Sequence, residues 1–140
     1  MAKRVYEYIF IFCFGALGYS LIELLFRGYT HWTMTLTGGL VFLLLYFLNT
    51  RIINGTLFKR CVIGSIAITG VEFVVGYYVN IIFKMNVWDY SERAFHIMGQ
   101  ICPLFTFLWF LLCIPIIPFC LWLKKSYFNF DGKTDNLTLK

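Results

Sequence analysis

The sequence predicts an all-α integral membrane protein, a four-helix bundle with both termini in the cytoplasm. Three observations carry that fold class. Apolar residues fill 60% of the 140 positions and charged residues only 14%, where an ordinary soluble domain has about 25% charged residues. The apolar residues fall into four long runs. The basic residues lie at the ends of those runs. A soluble domain of this size leaves roughly a third of its chain surface in water. A composition this apolar does not allow that, which excludes a soluble enzyme, a disordered chain and a secreted disulfide scaffold. A helical span needs about 20 residues. Four spans within 1–123 and a basic cytoplasmic tail at 124–140 therefore account for these residues and leave no room among them for a soluble catalytic domain.

The first span, 5–26, holds Glu7 near its start and Glu23 near its end. The second, 33–50, is uncharged. The third, 61–83, has Glu72 near its middle. The fourth, 95–123, is uncharged and longer than the hydrocarbon core is thick. Its first turns are expected in the outer interface, or the helix tilts, and Pro115 and Pro118 are expected to kink its last third.

Positive charge sets the direction of the spans. Lys3, Arg4, Arg51, Lys59, Arg60, Lys124, Lys125, Lys133 and Lys140 fall on one side, nine in all, and only Arg27, Lys84 and Arg93 fall on the other. An excess of Lys and Arg marks the cytoplasmic side. Spans one and three then run outward, and spans two and four return. The same topology explains the net charge of +5 without any nucleic-acid partner. A cleaved signal peptide is the competing reading of 1–20. Glu7 beside the basic start and the lack of an A-x-A site count against it.

The five cysteines, Cys13, Cys61, Cys102, Cys113 and Cys120, sit in or beside apolar runs with no C-x-x-C pair. They read as small apolar residues of membrane helices rather than as metal ligands or disulfides. No cofactor or metal is expected. An enzyme would need a nucleophile and a base together, and His96 and Cys102 do not share a helix face.

A carboxylate at membrane depth costs about 2.5–3.5 kcal/mol on insertion scales, so it faces the bundle interior. Ser65, Thr69, Glu72, Gly76 and Asn80 recur at helical spacing on the third span, as do Ala16, Ser20, Glu23 and Arg27 on the first. Both stripes read equally as packing seams between close helices or as the lining of a polar, outward-open vestibule with Glu72 at its floor and Glu23 in its wall. Arg27, four residues after Glu23, makes a common helix ion pair. Glu72 has no charged residue within one turn. Its partner is expected from another helix, with Gln100, Thr106 and Thr37 as candidates. His31 and His96 each stand where a helix re-enters the membrane, and each precedes a Met and then a Gly. With the outgoing Gly–Glu pairs and the tryptophans of the two outer loops, they form a faint two-plus-two parallel repeat. Asp89 either bonds Ser91 as a local turn or lines the vestibule mouth.

The most specific stretch reads Trp88-Asp89-Tyr90-Ser91, then Gly99-Gln100-Ile101-Cys102-Pro103, then Trp109, with Gly70-Val71-Glu72, Gly76 and Ile22-Glu23 upstream. This resembles the Putative ABC-transporter type IV family, small bacterial multi-pass membrane proteins, over most of 5–123. In the second span the chain carries Gly38-Gly39 and lacks the proline-rich, cysteine-containing segment of other members. The resemblance implies a permease-like role. No G-x-x-x-x-G-K-[ST] occurs in the chain, so any ATP-driven role needs a separate ATPase subunit.

The expected function is a transport or channel component of the cell membrane that binds a small solute or ion. Its candidate site residues are Glu23, Glu72, Thr69, Gln100, Asp89, Arg27, His31 and His96. Four helices enclose little space, so a homo-oligomer is expected. The alternatives are a non-transporting binding or assembly module and a membrane-perturbing protein of holin-like or effector type.

Overall fold

The computed structural model describes residues 1–129, and everything reported below refers to them. They form four helices in chain order: α1 (Ala2–Arg27), α2 (Trp32–Phe47), α3 (Leu57–Gly76) and α4 (Pro103–Tyr127). A π-helical turn, Leu48–Ile52, extends α2, and a second one, Tyr77–Ile82, extends α3. All four helices are long and apolar enough to cross a membrane. They carry apolar side chains on every side, as helices immersed in lipid do. Leu17, Leu25, Phe26, Phe58 and Ile66 all point outward.

Local chemistry sets the helix boundaries. The His31 ring caps α2 by accepting from the Thr33 N–H at 3.3 Å. The Thr56 hydroxyl caps α3 by accepting from the Lys59 N–H at 3.4 Å. Each satisfies one of the donors that a helix start leaves without a partner. Pro103 opens α4, at the first position, where its missing N–H costs nothing. The fourth span therefore begins at Pro103, not at 95. The uncharged run continues back to 95, but Phe95, Met98 and Gly99 hold positive φ values of 57°, 52° and 68°. Left-handed backbone does not continue a right-handed helix. The two histidines consequently differ in position: His31 caps a helix, whereas His96 lies in the segment ahead of one.

The bundle is built as two hairpins. α1 packs closely on α2, and α3 on α4. The first seam is tight because Gly38 lies flat against Tyr19. A Cβ there would overlap the Tyr19 side chain. Ser20 and Thr35 share a hydrogen bond of 2.8 Å across this seam, and Thr69 and Thr106 one of 3.0 Å across the second. Between the hairpins lie two apolar clusters, one around Ile11, Phe42, Tyr46 and Cys120 and one around Leu45, Cys61, Ile68, Cys113 and Ile117. Cys61, Cys102, Cys113 and Cys120 are buried free thiols, and Cys13 is exposed.

The expected basic tail begins later than 124. Lys124 belongs to α4 and is buried. Lys133 and Lys140 lie outside the described residues.

Candidate functional site

The α3 stripe faces inward: Ser65, Glu72, Gly76 and Asn80 are buried. Glu72 is 7% exposed, and both of its oxygens are bonded. Oε1 accepts from the Tyr90 hydroxyl at 3.0 Å and Oε2 from the Trp109 indole N–H at 2.9 Å. Tyr90 lies flat on Phe105, with ring centroids 4.4 Å apart and planes 9° apart. Burial, and then the neighbouring Glu72 carboxylate, hold the Tyr90 hydroxyl well above the usual phenol range, so it stays a donor. Both donors to Glu72 are neutral, and no Lys, Arg or His among the described residues pairs with it.

The partners expected for Glu72 are engaged elsewhere. Gln100 bonds Asn80, Thr106 bonds Thr69, and the Thr37 hydroxyl donates to the Thr33 carbonyl at 2.7 Å. A hydroxyl inside a helix readily returns its proton to the preceding turn, which is where Thr37 spends its donor.

Glu72 contributes to the wall of a cavity of about 240 Å³ between the two hairpins. α1 contributes Phe14, Gly18 and Tyr19; α2 contributes Met34, Thr37 and Phe42; α3 contributes Ile68 and Glu72; and α4 contributes Trp109, Leu112 and Phe119. Trp88 reaches in from the 83–102 segment. The lining is almost wholly apolar, where the sequence led us to expect a polar vestibule. Apart from Glu72, the polar stripe residues do not line this space: Ser65 donates to the Val62 carbonyl, Thr69 bonds Thr106, Asn80 bonds Gln100, Ser20 bonds Thr35 and Glu23 bonds Arg27. Of the eight expected site residues, Glu72 alone lines the cavity.

The 83–102 segment folds back into the loop end of the bundle. The Asn80 carboxamide accepts from the Val87 N–H at 2.7 Å and donates to Gln100 Oε1 at 2.8 Å. The Trp88 indole N–H donates to the Gln100 carbonyl at 3.1 Å. Gly76 lets Gln100 and Trp88 approach α3, since a Cβ there would meet both. Gln100 is thus a buried organiser of this segment. Asp89 lies outside the cavity. Its carboxylate accepts from the Ser91 N–H at 2.9 Å and from the Ser91 hydroxyl, and those bonds hold it below the usual carboxylate range. His96 accepts from the Gly99 N–H at 3.1 Å.

Glu23 and Arg27 form the expected pair, at 3.3 Å, and Tyr19 donates to Glu23 at 3.2 Å. Arg27 also donates to the Val87 carbonyl at 3.0 Å and lies over the Tyr29 ring at 5.0 Å. Glu23 is therefore neutralised within its own turn, while Arg27 ties the end of α1 to the segment that carries Trp88.

This is the structural setting of the Trp88-Asp89-Tyr90-Ser91 and Gly99-Gln100-Ile101-Cys102 motifs: one supplies the donor to Glu72, the other the anchor beneath Trp88. The family profile described as Putative ABC-transporter type IV matches residues 8–137. The chain belongs to this family. No curated protein and no solved structure matches it.

In this member of the ABC-transporter type IV family, sequence reasoning missed a polar cluster at the terminal end of the bundle. Glu7 is fully buried. Its Oε1 accepts from the Lys124 ammonium at 2.9 Å and from the Tyr46 hydroxyl. Its Oε2 has no hydrogen-bond partner among the described residues. Where the second and third spans are joined, the buried Arg60 donates to the Asn49 carbonyl at 2.7 Å. The signal was present: an acid inside one apolar run needs a cation, and Lys124 stands at the same end of another.

Proposed function

We propose that this protein is a non-enzymatic, membrane-embedded component of a bacterial transport system, and that the cavity between its hairpins holds the solute. One observation carries this reading: a small apolar cavity lined by all four helices has, among the described residues, a single carboxylate in its wall. Binding sites are typically concave and mostly apolar, with few fixed polar groups, and an ionisable residue at membrane depth is by default a functional candidate. The family name supports the transport context. On this reading both termini lie in the cytoplasm of a cell-membrane protein, which the distribution of basic residues supports, and the basic ends would there meet a separate ATPase subunit. A homo-oligomer would complete a pathway that four helices alone make narrow.

Two measurements test this. Cells producing wild type and the Glu72→Gln variant at equal levels are compared by mass spectrometry of contents and medium. At least one small solute is expected to change distribution with wild type and not with the variant, and identical profiles would overturn the reading. Affinity purification in mild detergent then decides the energy source. A stoichiometric ATPase makes the chain a permease-like subunit. Recovery of the chain alone as a defined homo-oligomer removes ATP from the mechanism.

A further inference from the structure

We infer, resting on the reading of this cavity as the solute site, that the solute is a small amphipathic organic cation, an ammonium group on an aromatic or branched apolar body. Six residues of the lining are aromatic: Phe14, Tyr19, Phe42, Trp88, Trp109 and Phe119. Glu72 is the one charged residue among the described residues that line it. Aromatic faces carry partial negative charge and attract ammonium groups, most strongly where water is excluded. The carboxylate supplies the full countercharge. Its two hydrogen bonds come from neutral donors, so the negative charge it carries when ionised is matched by no cation of the described chain.

Other classes of solute fit less well. An anion would meet a carboxylate and aromatic faces of the same sign. A metal cation would need several oxygen ligands, and both Glu72 oxygens are already hydrogen-bonded within a wall that is otherwise mainly carbon. A neutral apolar solute, or a lipid acyl chain, would leave the buried carboxylate with no role. An organic cation has a diffuse charge and an apolar body, and gains from every side of this lining. The space is adequate: about 240 Å³, where an engineered apolar cavity of about 150 Å³ admits benzene.

The test uses the full chain in phosphatidylcholine nanodiscs, with radiolabelled benzyltrimethylammonium as probe. Its neutral carbon isostere, neopentylbenzene, and the anion phenylacetate serve as competitors. Wild type is expected to bind the cation and to prefer it to both competitors. Glu72→Gln keeps the shape of the side chain and removes its charge; its amide oxygen can accept from the Trp109 indole while its NH2 donates to the Tyr90 hydroxyl. It is expected to weaken cation binding by about tenfold or more, equivalent to about 1.4 kcal/mol. Gly18→Leu provides an independent variant, because a Cβ at Gly18 meets nothing within 4 Å and the residue lines the cavity. Filling the space is expected to abolish binding of both the cation and the isostere.

Equal affinity for cation and isostere, or unchanged cation affinity in folded Glu72→Gln, would overturn the cation assignment while leaving the cavity as a solute site. Binding that persists undiminished in folded Gly18→Leu would place the probe elsewhere and overturn both readings. A phospholipid acyl chain retained in the cavity and not displaced by the cation would also overturn the assignment.

Discussion

Glu7 and Lys124 meet across 117 positions of sequence. Their burial sets what either substitution does. Breaking a buried ion pair by removing one partner leaves a charge without compensation and costs about 3–5 kcal/mol, whereas replacing both partners by apolar residues is often near neutral. Lys124→Ala is therefore expected to lower the stability of the detergent-solubilised protein by about that amount, and the Glu7→Leu/Lys124→Met double variant by much less. Thermal unfolding of the three proteins checks this. Glu72 differs in kind: its partners are neutral and its surroundings form a cavity. Sequence spacing could not reveal those partners. Tyr90 and Trp109 lie 18 and 37 positions away, one in an irregular segment and one on another helix. Glu23 was legible, because Arg27 sits one turn further along the same helix.

At the scale of elements, the apolar runs made the four helices plain, since few other structures accommodate stretches so poor in charge. What the runs hid was the start of α4. Hydropathy continues unbroken through 95–102, while the backbone there turns left-handed at three positions. The proline that opens the helix was visible, but it lay inside a long uncharged stretch. Pairing into two hairpins depends on the close approach of α1 and α2 at Gly38. Gly38→Leu would drive a side chain into Tyr19. Overpacking of this kind costs about 1–3 kcal/mol. A lower unfolding temperature is expected for Gly38→Leu than for Gly18→Leu, which extends into open space. If the two unfolded at the same temperature, the close seam would not be a determinant of the fold.

At the scale of the molecule, orientation follows from charge. Most basic residues among those described lie at the end that holds the N-terminus and the last turn of α4, against Arg27, Lys84 and Arg93 at the other. By the excess of Lys and Arg on the cytoplasmic side of membrane proteins, that asymmetry predicts a cytoplasmic terminal end. Green fluorescent protein fused at the C-terminus is therefore expected to fluoresce, and alkaline phosphatase at the same position to be inactive. The reverse result would invert the topology, and the 83–102 segment would then face inward.

The two hairpins are joined by polar bonds at both ends, Lys124 to Glu7 at one and Arg27 to the Val87 carbonyl at the other. Between those ends the junction is closed by apolar side chains, as where Phe14 and Phe119 lie 5.5 Å apart. Each aqueous end of the junction between the hairpins thus carries a charged fastening. An organic cation lodged in the bilayer, its charge at the headgroups and its apolar body among the acyl chains, meets apolar side chains such as Phe14 and Phe119. If the cavity holds the proposed organic cation, its supply is expected to follow partition into the bilayer as well as concentration in water. Of two such cations equally abundant in the medium, the one with the larger apolar body is then expected to fill the cavity to the greater extent.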